Sequence, residues 1–269
     1  MTKIILNADD FGKSPERNRA IDDAFKQGLI RSAGMIVTGK YLQDAIDYIK
    51  ACDYVKNIHI HFNFSTSPVR ISEGSEDAPL TEAMKNDPYY CLEGKFKPYK
   101  GLPHGFGGIL KWRIVYHEMV AQYEKFKEIT NGKANYKHID FHLWYNLSWP
   151  VAVALNVFTR KYKIESVRYI GIHHKSLSKH KRLRKFRTIS WNPRVKSFPA
   201  TNIDYFLSER DNISRFDAIE LYCHPTYKED VFLDDSPSYL KHDRQPMQKQ
   251  IDEIKKQKDV VFVSWEDIH

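Results

Sequence analysis

Strand-like apolar runs alternate with helix-like segments along this chain, and several of those runs end on a residue able to ligate a metal ion. KIILNADD closes on Asp9 and Asp10, KNIHIH on His61, YKHIDFH on His142 and AIELYCH on His224. Alternation of this kind favours a parallel sheet, because each return to the next parallel strand needs a crossover that a helix fills. When such strands close into a barrel, side chains far apart in sequence meet at the strand C-termini. The expected fold class is therefore α/β, a barrel with parallel strands, and the expected chemistry is metal-assisted hydrolysis.

The remaining punctuation agrees. Ser14-Pro15-Glu16 offers an N-cap followed by proline at the first helical position, and Gly28 closes the helix that follows. A strand over Ile30 to Val37, a helix over Tyr41 to Ala51 and a strand over Asn57 to Phe62 complete a βαβαβ start. Between Asn63 and Pro103 periodicity fades among Gly, Pro and acidic residues, which predicts a long substrate-facing loop. Helices are expected from Lys111 to Ile129, from Ser148 onward and over Pro246 to Lys258, and strands at 137–141, 167–170, 218–223 and 260–264. The stretch before Ala218 reads as irregular.

With 269 residues, 42% of them hydrophobic, one domain over 1–269 can bury a core of ordinary barrel size. The formal charge of +8 is concentrated in Lys175 to Arg187, which carries seven Lys or Arg and no acid. This stretch suits an anionic glycan or a membrane surface; without a zinc finger or RNP-like motif, no nucleic acid is expected as a partner. Cys52, Cys91 and Cys223 form no CxxC pair, which favours a reducing, cytoplasmic location. No run reaches the ~18 to 20 apolar residues of a transmembrane segment, and the N-terminal apolar run is too short for a signal peptide. A homodimer is the default assembly.

Asp10, His61 and His142 are the candidate metal ligands, since an open catalytic site usually takes three protein ligands and leaves the rest to water and substrate. Asp9, beside a ligand, is placed to take a proton from water; the pair could also serve as a capping turn before the first helix. His59 shares the face of His61 but lies deeper, so it is expected to pack rather than ligate. Asp140, flanked by His138 and His142, is placed to orient a ligand through a hydrogen bond or to cap a helix. His224, held extended by Pro225, is a candidate proton donor or a packed barrel-end residue.

The motifs NADDFG (7–12), GLIRSAGMIVTG (28–39), HFNFS (61–65), HIDFH (138–142), VR (167–168), ELYCHP (220–225) and VFVSWEDI (261–268) together resemble the YdjC-like carbohydrate deacetylases, a family with chitooligosaccharide and hopanoid-biosynthesis members. The resemblance spans nearly the whole chain. It implies a distorted (β/α) barrel of the glycoside hydrolase and deacetylase type, a divalent metal ion (Mg2+ or Zn2+) and removal of an acetyl group from an N-acetylated sugar substrate. By position it makes Asp10, His61 and His142 metal ligands, Asp9 the general base, His224 the general acid, and Arg168 a residue that orients the base or binds substrate. One departure stands out. Many members continue the third motif as HxDxHxHxH, whereas this chain has Trp144 and Asn146 at the last two histidine positions. Trp144 and Tyr145 could stack on a sugar ring there, and chitobiose specificity does not follow. The alternative is a catalytically silent carbohydrate-binding protein on the same barrel.

Overall fold

A computed structural model describes residues 1–66, 77–98, 110–143, 148–168, 195–208, 216–236 and 246–268. In chain order the elements are β1 (Thr2–Phe11), α1 (Pro15–Lys26), β2 (Ser32–Met35), α2 (Leu42–Lys50), β3 (Ile58–Phe62), the one-turn α3 (Glu82–Lys85), a small hairpin of β4 (Cys91–Leu92) and β5 (Lys95–Phe96), and α4 (Trp112–Thr130). There follow β6 (His138–Phe141), α5 (Trp149–Lys161), β7 (Ser166–Arg168), β8 (Lys196–Phe198), β9 (Ala200–Asn202), α6 (Ile203–Ser208) and β10 (Ala218–Cys223). The hairpin of β11 (Pro225–Lys228) and β12 (Val231–Asp234), then α7 (Met247–Lys255) and β13 (Val260–Phe262), complete the chain.

The main sheet runs β8-β7-β6-β3-β2-β1-β10-β9, with β13 also paired to β1, and its pairings are parallel. Its two edges, β8 and β9, are separated in sequence by Pro199 alone. One bent segment therefore bonds β7 with its first half and β10 with its second, which draws the sheet into a nearly closed barrel. Proline has no N–H to offer at the changeover, while its carbonyl still accepts from Glu220 N at 2.9 Å. This is where the sequence reading fell short, since the region before Ala218 carries two strands and a short helix.

Strand alternation sorts the side chains into two sets. Ile4, Leu6 and Ala8 of β1, Ile58, Ile60 and Phe62 of β3, Ile139 and Phe141 of β6, and Ile219, Leu221 and Cys223 of β10 belong to the main core, packed with apolar residues of α1, α2, α4 and α5. Each fully buried Ile, Leu or Phe among them contributes roughly 1.5–3 kcal/mol. The residues between them, among them Asn7, Asp9, His59, His61, His138, Asp140, Arg168 and Glu220, fill the barrel interior, and all are buried. Ile5, Phe198 and Trp265 form a small apolar floor below that polar column.

The long segment after β3 is anchored by polar groups on the inner face of α4. Gln122 Oε1 accepts from Asn63 N at 3.1 Å and its Nε2 donates to Asn63 O at 2.8 Å. One turn earlier, Glu118 accepts from Leu80 N, Thr81 N and Thr81 Oγ1. These bonds satisfy backbone groups of Asn63, Leu80 and Thr81 that a loop would otherwise leave without a protein partner. The segment also delivers Asp77, whose Oδ2 accepts from Asn63 Nδ2 at 3.1 Å.

Candidate active site

Successive strand residues should face opposite ways, yet Asp9 and Asp10 both reach the barrel mouth. The reason is a bulge: the pairing of β1 with β2 shifts register between Ala8 and Phe11, and Asp10 takes a left-handed φ of 72°. Aspartate tolerates that region better than most residues, and such backbone strain concentrates at functional sites. Gly12 completes the turn at φ +104°, where a Cβ would stand 2.5 Å from Ile36 O. Ser14 then accepts from Arg17 N and opens α1 as the sequence predicts.

Three of the sequence candidates come together here. Asp10, His61 and His142 each offer a donor atom within 4.8 Å of the other two, and all three are buried. His142 Nδ1 lies 2.8 Å from Asp10 Oδ1, and His61 Nε2 lies 3.5 Å from the same oxygen. One carboxylate and two imidazoles at the end of a barrel form the donor set of an open zinc-type site, and a harder ion such as magnesium would need further oxygen ligands. The residues thus fit a divalent ion. On the far side of His61, Asp140 Oδ1 meets Nδ1 at 2.5 Å, which fixes the ring and leaves Nε2 turned toward Asp10. Burial pushes the Asp10 carboxyl up, but His142, Lys13 and His61 outweigh it and hold the group well below the usual carboxylate range. Burial, and next the charge of Lys13, push His142 down to about 4, against the pull of Asp10.

Two other groupings also have metal-ligand geometry: His59, His138 and Asp140, and Asp9, His61 and Asp140. Both draw on Asp140, whose Oδ2 is already 2.5 Å from the Arg168 guanidinium, so a second cation there meets a resident one. His59 and His138 are also engaged with neighbouring side chains. His59 Nδ1 bonds Ser32 Oγ, and the His138 ring stacks on Trp265 at 3.7 Å.

Arg168 organises the carboxylates around Asp9. Its Nη1 and Nη2 donate to the two oxygens of Asp9, each at 2.6 Å, while Nε and Nη2 donate to Glu220 Oε1 at 2.9 and 2.6 Å. Asn7 Nδ2 adds a further bond to Asp9 Oδ1 at 2.8 Å. A bidentate guanidinium pair of this sort fixes orientation as well as charge. Burial raises the carboxyl pKa of Glu220, and Arg168 offsets only part of that rise.

His224 lies just beyond β10 with Nε2 3.9 Å from Asp9 Oδ2. Its Nδ1 faces Ser236 Oγ at 2.9 Å, and that hydroxyl donates to Asp234 Oδ1 at 2.7 Å. Ser236 has spent its proton on Asp234, so it accepts from Nδ1–H and leaves the Nε2 lone pair aimed at Asp9. Burial pushes the His224 pKa down, in keeping with that neutral ring.

Glu220, Lys13, Asp77, Asp234 and Ser236 were not singled out as functional in the sequence. Glu220 carried a signal, a lone carboxylate at an inward position of an apolar strand; Asp234 ends a short hairpin strand and the others sit in connecting segments, where no periodicity marks them. Trp144, Tyr145 and Asn146, and the basic stretch Lys175 to Arg187, lie outside the described residues.

Comparison with known proteins decides the family. A family model described as YdjC-like protein matches residues 3–262. The chain belongs to the YdjC-like family. Among relatives, the carbohydrate deacetylase 2 of Listeria innocua is 24% identical over 245 residues, covering 87% of this chain and 84% of that protein. A carbohydrate deacetylase of Vibrio cholerae is 25% identical over 247 residues, 89% of this chain and 84% of that protein. A crystal structure from Enterococcus faecalis V583, provisionally described as a cellobiose-phosphate cleavage protein, superposes with a TM-score of 0.65 at 17% identity over 99% of this chain and 98% of that one. That likeness establishes the YdjC-like chain as an α/β barrel of the same fold.

Proposed function

We propose that this chain is a divalent-metal-dependent carbohydrate N-deacetylase, which hydrolyses the acetamide of an N-acetylated sugar to acetate and a free amino sugar. The observation that carries the reading is the clamped Asp9, held by both arms of Arg168 at the edge of the Asp10, His61 and His142 cluster. The names of the Listeria and Vibrio relatives agree with it. Free cysteines at 52, 91 and 223 suit a cytoplasmic setting, and no helix among the described residues is long and apolar enough to cross a membrane.

Asp10, His61 and His142 would hold the ion, zinc or magnesium, which when bound supplies Lewis-acid polarisation of a carbonyl and makes water a stronger acid. Asp9 takes the proton of the attacking water. Arg168 holds that carboxylate aimed through two parallel hydrogen bonds, so no reorientation is needed during the reaction. The bare Nε2 of His224 stands one small movement beyond hydrogen-bond reach of Asp9 and is the natural next holder of the proton. From there it passes to the departing amine. Asp234 and Ser236 hold the ring in the tautomer this path requires.

The test is acetate release from a panel of N-acetylated mono- and oligosaccharides, before and after chelation. Chelation should abolish release and added zinc or magnesium should restore it. A sugar that raises the melting temperature without ever yielding acetate would instead support the silent binding protein.

Metal loading should also release a proton. Burial pushes His61 down, but the carboxylates of Asp140, Asp9 and Asp10 together raise its pKa to about 10 in the ion-free chain. His61 is thus protonated at neutral pH and must lose that proton to ligate. Titration calorimetry in buffers of different ionisation enthalpy should give about one proton per ion. A buffer-independent heat would remove His61 from the ligand set.

A further inference from the structure

We infer that Lys13 is a resident cation of the metal site, placed so that its ammonium group opposes the binding of the ion. The inference rests on the reading that Asp10, His61 and His142 hold the metal.

Lys13 follows NADDFG directly, and its backbone N–H donates to Asp10 O at 3.2 Å, so the turn that presents Asp10 also presents this side chain. Its Nζ reaches across the barrel mouth to His142 Nε2 at 2.8 Å. Among the described residues it forms no ion pair, although Asp10 and Asp77 feel its charge. A lysine at the rim of a cleft ordinarily turns to solvent or to a carboxylate; this one is spent on an imidazole of the proposed ligand set.

The hydrogen-bond logic of His142 makes the conflict specific. The Asp10 carboxylate is an acceptor, so with 2.8 Å between Nδ1 and Oδ1 it is His142 Nδ1 that carries the proton and donates. The one remaining lone pair of the ring is on Nε2, and Lys13 is its donor. A metal ion that takes Nε2 must displace the ammonium group. An ion that takes Nδ1 must strip the proton from that nitrogen, break the bond to Asp10 and tolerate a positive charge against the other edge of the same ring. Either route is less favourable than in a site with a neutral residue at position 13. Loose, exchangeable metal is the expected consequence.

The test is a metal titration. Cobalt(II) reports on its own coordination through visible absorption, and zinc is then measured by competition, both at mildly alkaline pH so that protons do not compete. Lys13→Met keeps the chain length and removes charge and donor; it should lower the dissociation constant about tenfold or more. Lys13→Gln should move the same way if the Met variant folds poorly, and Lys13→Arg should stay near wild type. Neutral variants that bind within about twofold of wild type, or more weakly, overturn the inference. His142→Ala separates the two readings: if it leaves cobalt binding unchanged, the ligand assignment has failed and the lysine inference with it, whereas a His142→Ala loss alongside an indifferent Lys13→Met sinks the lysine inference alone.

Discussion

Asp9→Asn is expected to lower acetate release by about 10²- to 10⁴-fold while the protein folds and still takes up metal. The amide has nearly the shape of the carboxylate and keeps an oxygen for one arm of Arg168, but it cannot receive a proton from water. Its NH2 group must also face an Arg168 donor in either orientation, and in one of them the amide of Asn7 as well. Asp10→Ala should behave differently. It removes a donor from the metal cluster, so activity and metal affinity fall together. Steady-state kinetics paired with a cobalt titration tells the two aspartates apart. If Asp9→Asn retains a tenth or more of the activity, Asp9 is not the base; if Asp10→Ala binds metal as wild type does, the ligand set is wrong.

How far such a site could be read beforehand depended on where each residue lay. Inward positions on regular strands were legible, because alternation ties a polar residue in an apolar run to the barrel interior. His61, Asp140 and His142 were found that way, and the strand over Ala218 to Cys223 has the predicted bounds. The bulge at Asp10 was only partly legible. The sequence offered a turn ahead of Gly12, but the left-handed backbone that swings Asp10 back beside Asp9 depends on pairing with β2. The bent strand around Pro199 was not legible at all, since proline there argues against a strand and only the switch of partners from β7 to β10 makes it acceptable. Lys13 lies in the turn ahead of α1, where nothing in the sequence singles it out. Its meaning comes from His142, 129 positions away, and no local pattern carries that.

Arg168→Met should be the most destabilising single change at this site, by about 3–5 kcal/mol in metal-free protein, and should abolish acetate release as well. The guanidinium stands between Asp9, Asp140 and Glu220, with Asp140 and Glu220 fully buried. Removing it leaves like charges together in a low dielectric, and methionine offers nothing in exchange. Arg168→Lys should recover only part of the loss, because one ammonium cannot donate in parallel to Asp9 and also reach Glu220. The carboxylates supply an internal check. Burial already raises the Glu220 pKa, so this group should neutralise most readily once Arg168 is gone. A Glu220→Gln change made on top of Arg168→Met should therefore restore stability, although by itself it weakens the native network. Asp140 gives the sign of the pH effect. Burial pushes its pKa up, but Arg168, His61 and His59 hold it well below the usual range. That stabilisation is present above the ordinary carboxylate pKa and is lost as pH falls through the depressed one. In Arg168→Met most of the depression disappears, so the stability deficit relative to wild type should shrink on acidification. Denaturant unfolding of the chelated single and double variants at neutral and acidic pH measures each of these quantities. An Arg168→Met protein as stable as wild type, or one that Glu220→Gln fails to rescue, would mean that the buried carboxylates are neutralised by their histidines and that Arg168 serves the chemistry of Asp9 alone.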